Sequence, residues 1–261
     1  MRCISRVAIR SNMKEHGVIK HEVRDNLGIV TLARSEKRNA MTPSMLDAAI
    51  ATVYSLTHDD TARVLMLTGE GDMFCAGFDL TLCKDDATVL PALLTGLSRL
   101  VAALRACDKP VVISAHGGAI AGGCALLGGA DIVVTTHDAK IGYPVLRLGI
   151  SPAVSAPTLR LATGDGPARA RTLDTGLIDG QRAVQIGLAH ASEPTRDACE
   201  QRAIAWASDL AGKPPHALAA TKRWLREIDG PDVSPAGLAT SLSLVDGSEQ
   251  AAMLPQAWQR K

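Results

Sequence analysis

Two glycine-rich stretches have the composition of loops that bind an oxygen atom through their backbone. They are GDMFCAGFDL at residues 71–80 and AHGGAIAGGCAL at residues 115–126. Small residues leave the backbone of both loops accessible to a ligand: Ala76, Gly77, Gly122 and Gly123. If the loops lie side by side, two N–H groups can point at one oxygen, and a helix beginning near Gly122 adds positive potential there. Such preorganised donors stabilise an oxyanion by about 3 to 4 kcal/mol. Equally, the glycines are explained if they only permit close packing of a helix on a strand.

The elements around these loops are predicted to alternate between strand and helix. Residues 18–33 form a hairpin with a turn at 25–28, and Thr42 caps a following helix that starts at Pro43. Three apolar strands, ARVLMLTG, PVVISAHG and DIVVTT, are separated by the helices LPALLTGLSRLVAALRA and AGGCALLGG. This order predicts an α/β fold with a mostly parallel sheet that is buried on both faces. From about residue 153 onward we expect helices only.

Composition excludes several classes of partner. The chain has 261 residues with 46% apolar content, and 28 basic residues balance 27 acidic ones to a net charge of +1. This balance, with only 3% aromatic residues, argues against nucleic acid and anionic membrane partners. No apolar run approaches the roughly 20 residues of a membrane span. The six cysteines show no metal-ligand or CxxC spacing, which favours reduced thiols and a cytoplasmic protein.

The N-terminal residues allow two interpretations. MRCISRVAIRSN carries three arginines, and no acidic residue precedes Glu15, a composition that is superficially like a transit peptide. We favour a disordered extension over residues 1–16, with either Met1 or Met13 as the true start. The remaining predicted domains are a core over residues 17–195 and a helical C-terminal region over 196–261.

The pairing of FCAGFDL with the later GGAIAGGCAL resembles the crotonase superfamily, the enoyl-CoA hydratase and isomerase family. The resemblance covers nearly the whole chain, through KRNAM, IGYPVLRLGISP, QIGLAH and HALAATKRWLR. It implies a crotonase-like spiral of ββα units with a helical C-terminal region. It also implies a homotrimer or a dimer of trimers, and a coenzyme A thioester as ligand. Coenzyme A would be part of the substrate, and no prosthetic group or metal is expected.

The same resemblance assigns roles to individual residues. The backbone N–H groups of Phe78 and Gly122 would form the oxyanion hole. The residues implied to line the coenzyme A nucleotide are Lys37, Arg38, Ala40 and Ala76. Lys222 matches a helix that can approach the coenzyme A phosphates, often from a neighbouring subunit. The alternative for Lys222 and Arg223 is a solvated helix face.

The chain departs from the family pattern where proton transfer would occur. Hydratases of the family use two glutamates, and the matching positions here are Ala125 and Val145. No glutamate lies between Glu70 and Glu193. Loss of a positioned acid or base costs about 10²- to 10⁴-fold in rate per group, so standard hydration should be weak or absent. The branch with an aspartate nucleophile is disfavoured, because residues 151–153 are Ser-Pro-Ala.

Other ionisable side chains near the loops offer weaker alternatives. Asp79 follows an oxyanion residue, and we expect it to hold the loop together more often than to act in catalysis. Tyr143 could present a phenol to the acyl group, and Cys124 could have a lowered pKa at the start of a helix. Asp131 is expected to anchor a strand, His116 to be a neutral core histidine, and Asp138 to lie in a turn.

Three functions remain open at the level of sequence. The first is an acyl-CoA or enoyl-CoA enzyme of the lyase or isomerase class in fatty acid metabolism. It would stabilise an enolate with little acid–base help, as in a decarboxylation or a substrate-assisted step. The second is a non-catalytic acyl-CoA-binding or regulatory homologue. The third is a structural partner in a mixed oligomer.

Overall fold

The computed structural model of the protein describes residues 14–259, in nine strands and eleven α-helices. The strands are β1 Lys14–His16, β2 Ile19–Arg24, β3 Leu27–Leu32, β4 Val64–Gly69, β5 Val111–Ala115, β6 Gly118–Ile120, β7 Ile132–Thr136, β8 Lys140–Gly142 and β9 Ala191–Glu193. The helices are α1 Pro43–Thr57, α2 Val89–Ala106, α3 Gly122–Leu127, α4 Ala156–Thr163, α5 Asp165–Leu173, α6 Gly180–Gln185, α7 Arg196–Ala211, α8 Pro215–Ile228, α9 Ser234–Leu242, α10 Ser248–Met253 and α11 Gln256–Gln259. Short 3₁₀ turns cover Ser35–Lys37, Leu80–Cys83, Pro144–Leu148 and Pro152–Val154.

Seven strands form the main sheet in the order β1-β2-β3-β4-β5-β7-β9. The first three strands pair antiparallel, and the rest pair parallel. The hairpin between β2 and β3 turns at Asp25 and Asn26, whose φ angles of 51° and 64° suit a type I′ turn. At the start of α1, Thr42 Oγ1 accepts a hydrogen bond from Met45 N at 3.1 Å. The predicted α/β class, hairpin and helix cap are therefore confirmed.

Both faces of the parallel sheet are buried, as its apolar strands predict. Leu65, Leu67 and Ile113 point into a large core shared with α1, α2 and α3. Their neighbours Val64, Met66 and Val112 point to the opposite face, which α7 covers. That helix presents a small residue every four positions, so it approaches the sheet closely: Cys199, Ala203, Ala207 and Ala211. Helix α7 begins at the predicted boundary, residue 196, and completes the core on one face of the sheet.

A second, smaller layer crosses the C-terminal ends of the parallel strands. There β6 pairs with β8 in parallel, and isolated bridges extend the layer from Cys75 to Ala119 and from Met41 to Phe78. Each bridging segment follows a strand of the main sheet or the end of the hairpin. The layer therefore gathers loops that are far apart in sequence at one end of the sheet.

Three expectations from the sequence need correction. The three-residue strand β9 contradicts a purely helical region after residue 153; it is too short to show a period, and it pairs at the sheet edge with β7. Residues 14–16 of the predicted extension form β1, and residues 1–13 lie outside the described residues. Helix α2 is 18 residues long and apolar enough to span a membrane by length and composition alone, but half of that window is buried in the fold.

An ion pair and a hydrogen bond attach α8 to the sheet at the N-terminal ends of β5 and β7. Lys222 of α8 donates to Asp131 Oδ2 at 2.6 Å and to the carbonyl oxygen of Lys109 at 2.9 Å. Asp131 also accepts from Val111 N at 2.7 Å, so it anchors the start of β5, as the sequence predicts. The Lys222 side chain is only 9% exposed. Because an ammonium group buried this far needs its partners, the contact fixes α8 to the sheet.

We expect Lys222→Met to lower the free energy of unfolding by about 2–3 kcal/mol, because it leaves the Asp131 carboxylate without its cation but keeps the apolar stem. Lys213→Met is the matched control, since the Lys213–Asp209 pair is 48% and 64% exposed and should contribute less than about 1 kcal/mol. Urea unfolding followed by circular dichroism measures both. Equal, small effects would contradict the anchoring role.

Candidate functional site

The two glycine-rich loops lie side by side, as their positions after β4 and β5 predict. Cys75 N donates to Gly118 O at 3.1 Å, and Ile120 N donates to Cys75 O at 3.0 Å. On the other side, Met41 N donates to Gly77 O at 2.7 Å, and Asp79 N donates to Met41 O at 2.9 Å. These backbone bonds bring the segment that carries Phe78 next to the start of α3.

The N–H groups of Phe78 and Gly122 have no hydrogen-bond acceptor among the described residues. Their neighbours do: Asp79 N donates to Met41 O, and Ala121 N donates to Gly142 O at 2.8 Å. Gly122 is the first residue of α3, so its N–H has no partner within the helix. Backbone N–H groups are strong donors that are normally paired when buried. Two unpaired donors on adjacent loops therefore form a candidate site for one anionic or carbonyl oxygen.

The glycines of the second loop also serve packing, so both interpretations of them are supported. A side chain on Gly123 would lie 2.4 Å from the carbonyl oxygen of Cys75. One on Gly122 would lie 3.0 Å from the Phe78 ring and 2.7 Å from the methyl group of Met41. Any larger residue would push the two loops apart. Close packing and accessible N–H groups are thus consequences of the same residues.

Asp79 is held by the loop before α1. Its carboxylate accepts from Arg34 Nη2 at 2.7 Å and from the Thr81 hydroxyl at 2.5 Å. Burial opposes ionisation, but the hydrogen bonds from Thr81 and Arg34 and the charge of Arg34 outweigh it and hold the Asp79 pKa below its ordinary value. A carboxylate so occupied is a poor base near neutral pH. These contacts favour the loop-holding interpretation of Asp79.

Two residues that the sequence analysis did not single out complete this support. Asn39 is fully buried; its side-chain amide donates to the carbonyl oxygens of Glu70 and Met73, and its oxygen accepts from Arg34 N. Arg34 Nη1 also donates to Ala40 O at 2.8 Å. Asn39 lies within the KRNAM motif, which is the only sequence signal for it. Nothing in the spacing of Arg34 indicates its partner, because Asp79 is 45 residues away.

No carboxylate occupies the two positions where a glutamate was expected from the resemblance. Ala125 lies on α3 with 1% of its surface exposed, and Val145 lies in the turn Pro144–Leu148, packed against the main core. Both side chains are apolar. Neither of these two positions therefore supplies a group that transfers protons.

Tyr143 and Cys124 are buried together and are not presented to a ligand. The Tyr143 hydroxyl contacts Cys124 and Ser155, and burial, with Cys124 beside it, raises the Tyr143 pKa well above its ordinary value. Burial likewise raises the pKa of the Cys124 thiol to about 12. The expectation of a lowered Cys124 pKa is therefore wrong, because the loss of solvent outweighs the position at the helix start.

The remaining ionisable candidates have structural surroundings. His116 is 1% exposed, and its Nε2 lies 3.0 Å from Gly71 O. Burial lowers the His116 pKa, in keeping with a neutral core histidine. Asp138 lies in a turn, as expected. Within residues 14–259, no group of three or more His, Cys, Asp or Glu side chains is placed to bind a metal ion.

The residues predicted to line a nucleotide gather beside the first loop. Lys37 ends the turn Ser35–Lys37, Arg38 follows it, and both side chains are exposed. Ala76 N donates to Arg38 O at 3.0 Å, and Ala40 N donates to Lys37 O at 3.0 Å. Neither Lys37 nor Arg38 forms an ion pair with the described part of the chain. Two uncommitted cations thus border the loop that carries Phe78.

Lys222 lies elsewhere. The two glycine-rich loops follow the C-terminal ends of β4 and β5. In contrast, Lys222 binds Asp131 and Lys109 at the N-terminal ends of β5 and β7. Its burial makes a solvated helix face wrong for this residue, although Arg223 beside it is half exposed. Within one chain, the predicted contact of Lys222 with a coenzyme A phosphate has no support, since the ammonium is already paired.

A mostly apolar cavity of about 310 Å³ lies beside Cys83, at the end of the turn Leu80–Cys83. Its walls come from Cys83, Leu90 and residues 245–258 at the C-terminal end, which include Leu254 and Trp258 and two polar side chains, Asp246 and Gln250. Phe78 and Gly122 do not line it. Two further cavities, of about 350 and 670 Å³, lie beside α8 and share Arg105 and Arg226. They are on the side of Lys222 and not beside the oxyanion loops.

We expect Asp79→Asn to lower the free energy of unfolding at pH 7 by on the order of 2 kcal/mol, because the mostly buried Arg34 guanidinium loses its short carboxylate contact and keeps only Ala40 O and the exposed Glu36 at 3.9 Å. The Asp79 pKa is lowered in the folded state, so its stabilisation is present above the unfolded value of about 3.9 and is lost as pH falls through the folded value. The gap between wild type and variant in urea unfolding should therefore shrink at about pH 3.

Asp47→Asn is the control for this experiment, because the Asp47–Arg99 pair is exposed and 3.9 Å long. A gap for Asp79→Asn that is absent at pH 7, or that is equally large at both pH values, would contradict the loop-holding role.

Known proteins are similar to this chain over most of its length. One is a putative enoyl-CoA hydratase of Thermus thermophilus, 30% identical over 241 residues, which are 90% of each chain. Another is a 2,3-dehydroadipyl-CoA hydratase of Escherichia coli, 32% identical over 203 residues, which cover 76% of this chain and 78% of the relative.

A solved structure of an enoyl-CoA hydratase/isomerase from Mycobacterium paratuberculosis superposes with a TM-score of 0.83 at 26% identity, and it covers 92% of this chain and 98% of that one. The model of the enoyl-CoA hydratase/isomerase family matches residues 22–246. This match spans the turn and second strand of the hairpin, both glycine-rich loops and α8, and agrees with the crotonase fold that the sequence motifs predict. The chain therefore belongs to the enoyl-CoA hydratase/isomerase family.

Proposed function

We propose that the protein binds an acyl-CoA thioester and polarises its carbonyl group through the N–H groups of Phe78 and Gly122. The observation that carries this proposal is the pair of unpaired N–H groups on adjacent loops. The names of the relatives support the ligand class, since they are hydratases of CoA thioesters. Two fixed donors lower the energy of the oxyanion or enolate that forms when negative charge moves onto the thioester oxygen.

The coenzyme A part of the ligand would lie against the first loop. Lys37 and Arg38 are exposed and supply the positive charge that the phosphates require. Ala40 and Ala76 keep the neighbouring backbone accessible. Since the whole chain carries a net charge of only +1, this local pair matters more than any general field.

The reaction is one that needs enolate stabilisation and little help from protein acids or bases. Ala125 and Val145 cannot relay a proton, and Asp79 is occupied by Arg34 and Thr81. A decarboxylation, or a step in which the substrate supplies its own acid or base, meets these conditions, and both belong to the lyase or isomerase chemistry of acyl-CoA metabolism. In this proposal the mostly apolar cavity beside Cys83 receives part of the acyl group.

The active form would be a homo-oligomer, a trimer or a dimer of trimers in the cytoplasm. Support comes from three large apolar side chains on α8 that are exposed in the single chain: Trp224 at 59%, Leu225 at 48% and Ile228 at 59%. Clustered apolar exposure of this kind marks an interaction surface. Lys222 lies on the buried side of α8, and its bonds to Asp131 and Lys109 hold the helix in place beneath this surface.

The second candidate function is a non-catalytic acyl-CoA-binding or regulatory homologue. It is favoured by the same missing carboxylates, because the donors for the carbonyl oxygen survive without any proton-transfer group beside them. A binder and an enolate-stabilising enzyme share the ligand and differ only in turnover.

Hydration of crotonyl-CoA tests the role of the missing carboxylates. We expect wild type to be slow, because two absent acid–base groups each cost about 10²- to 10⁴-fold, and Ala125→Glu/Val145→Glu to gain rate. Loss of the enoyl-thioester absorbance measures both. The matched control is Ala125→Gln/Val145→Gln, which has the same size and cannot transfer a proton. Wild-type turnover at an ordinary kcat of about 1–10³ s⁻¹ would show that another group replaces the glutamates.

Titration with saturated butyryl-CoA separates binding from reaction. We expect calorimetry to give a micromolar Kd, and Lys37→Ala/Arg38→Ala to weaken binding more as the salt concentration falls, since the lost contacts are electrostatic. Lys213→Ala is the control, because Lys213 is an exposed cation whose carbonyl oxygen accepts from Arg63 just before β4, away from the first loop. If a panel of enoyl, malonyl-type and hydroxyacyl thioesters binds and is recovered unchanged, the non-catalytic function stands. Absence of binding would exclude both functions.

A further inference from the structure

Ala121, the residue before the donor Gly122, has a backbone conformation that side chains rarely adopt. Its φ is 53° and its ψ is −114°. This combination lies outside the left-handed helical region, near the first central position of a type II′ turn, where glycine is the usual residue. Four of the five other described non-glycine residues with positive φ are Asp or Asn, which tolerate such angles better. Alanine gains no comparable side-chain hydrogen bond, so the strain at Ala121 must be held by its surroundings.

Contacts on three sides hold this conformation. Ala121 N donates to Gly142 O at 2.8 Å, and Ala121 O accepts the first helical bond of α3, from Ala125 N at 3.0 Å. The methyl group faces the other oxyanion loop: a Cβ on Gly77 would lie 3.1 Å from the Cβ of Ala121 and 2.9 Å from Ile120 O. That Cβ built on Gly77 would also lie 3.6 Å from Gly122 N. The methyl group of Ala121 therefore faces Gly77 at the place where the two segments that carry the donors meet.

This position gives Ala121 control over the direction of the Gly122 N–H. The peptide group is planar, so the ψ angle of Ala121 fixes where that N–H points. Gly77 stands in the same relation to Phe78, and it also has a positive φ, of 100°. Glycine at 77 can vary its angles widely, whereas the Cβ of Ala121 restricts φ and ψ to a narrow range.

We propose that Ala121 is a positioning residue, whose methyl group, packed in a strained conformation against Gly77, fixes the Gly122 N–H toward the oxygen it shares with Phe78. The inference rests on the proposed function, because the shared oxygen is that of the acyl-CoA thioester. It goes further by assigning a role to a side chain that touches neither the oxygen nor a proton. The strain lowers stability and in return narrows the range of donor orientations.

Ala121→Gly tests this proposal with two readouts that should move in opposite directions. Relief of strain should raise the melting temperature by about 2–4 °C. The wider range of Gly122 orientations should move the ¹³C carbonyl resonance of bound [1-¹³C]butyryl-CoA back toward its free value. The Kd of this ligand should rise about threefold to tenfold, less than the effect of deleting an oxyanion donor. A residue that only shaped the fold would not move the carbonyl resonance of a more stable protein.

The control is Asn26→Gly, which removes the side chain of another residue with a positive φ, of 64°, at the hairpin turn at the other end of β3. It should leave the carbonyl resonance and the Kd unchanged. An Ala121→Gly variant with a raised melting temperature and an unchanged resonance would overturn the positioning role, and an unchanged or lower melting temperature would overturn the strain. If wild type itself shows no carbonyl shift on binding, the proposed function fails, and the resonance of the variant is not needed to show it.

Discussion

The structure depends on the backbone hydrogen bonds that join residue 75 to β6. The bonds Cys75 N to Gly118 O and Ile120 N to Cys75 O, with Phe74 N to His116 O just before them, hold the segment leaving β4 against the segment leaving β5. The main sheet places both segments at the same end, but parallel strands alone do not set the distance between their loops. The glycines at 122 and 123 permit the approach, since any side chain there would collide with Phe78, Met41 or Cys75. The unpaired N–H groups of Phe78 and Gly122 follow from this docking.

Around this contact between the two loops, polar side chains hydrogen-bond to the backbone, whereas the two positions expected to hold glutamates carry apolar side chains. Arg34, Asn39 and Asp79 form a largely buried network, whose hydrogen bonds brace the loop at residues 34–40 and join it to the segment at residues 70–79. Tyr143, Cys124 and Ser155 are likewise turned inward. Ala125 and Val145 leave the site itself apolar. In the proposed function, fixed backbone dipoles would stabilise charge on the thioester oxygen, and any proton transfer would be left to the substrate or to water.

The sequence predicts the parts of this arrangement that rest on local pattern. Alternating apolar residues indicate the strands, Thr42 and Pro43 mark the start of α1, and the two glycine-rich motifs indicate both the family and the loops. It does not predict β9, because a three-residue edge strand has no period to detect. It also does not predict the partners of Arg34 or Lys222, whose acceptors lie 45 and 91 residues away. The buried thiol of Cys124 shows the limit most clearly, since its pKa depends on solvent access and not on its place in a helix.

The strain at Ala121 belongs to the same category, because its conformation is set by Gly142, Ala125 and Gly77 together. No composition or spacing rule assigns a positive φ to an alanine. In the proposal, the packing of Ala121 against the other loop sets the direction of the Gly122 N–H. The proposed oxyanion hole is thus a property of the whole end of the sheet, although only two N–H groups would touch the ligand.

In the proposed function, one thioester oxygen binds between the N–H groups of Phe78 and Gly122. A crystal structure of the protein with butyryl-CoA would show directly where that oxygen lies. A saturated thioester cannot be hydrated, so the bound ligand remains intact whether or not the protein is an enzyme. We expect the thioester oxygen to lie about 2.7–3.1 Å from both N atoms, with the phosphates beside Lys37 and Arg38. A thioester bound elsewhere, or an oxygen that contacts neither N–H group, would contradict it.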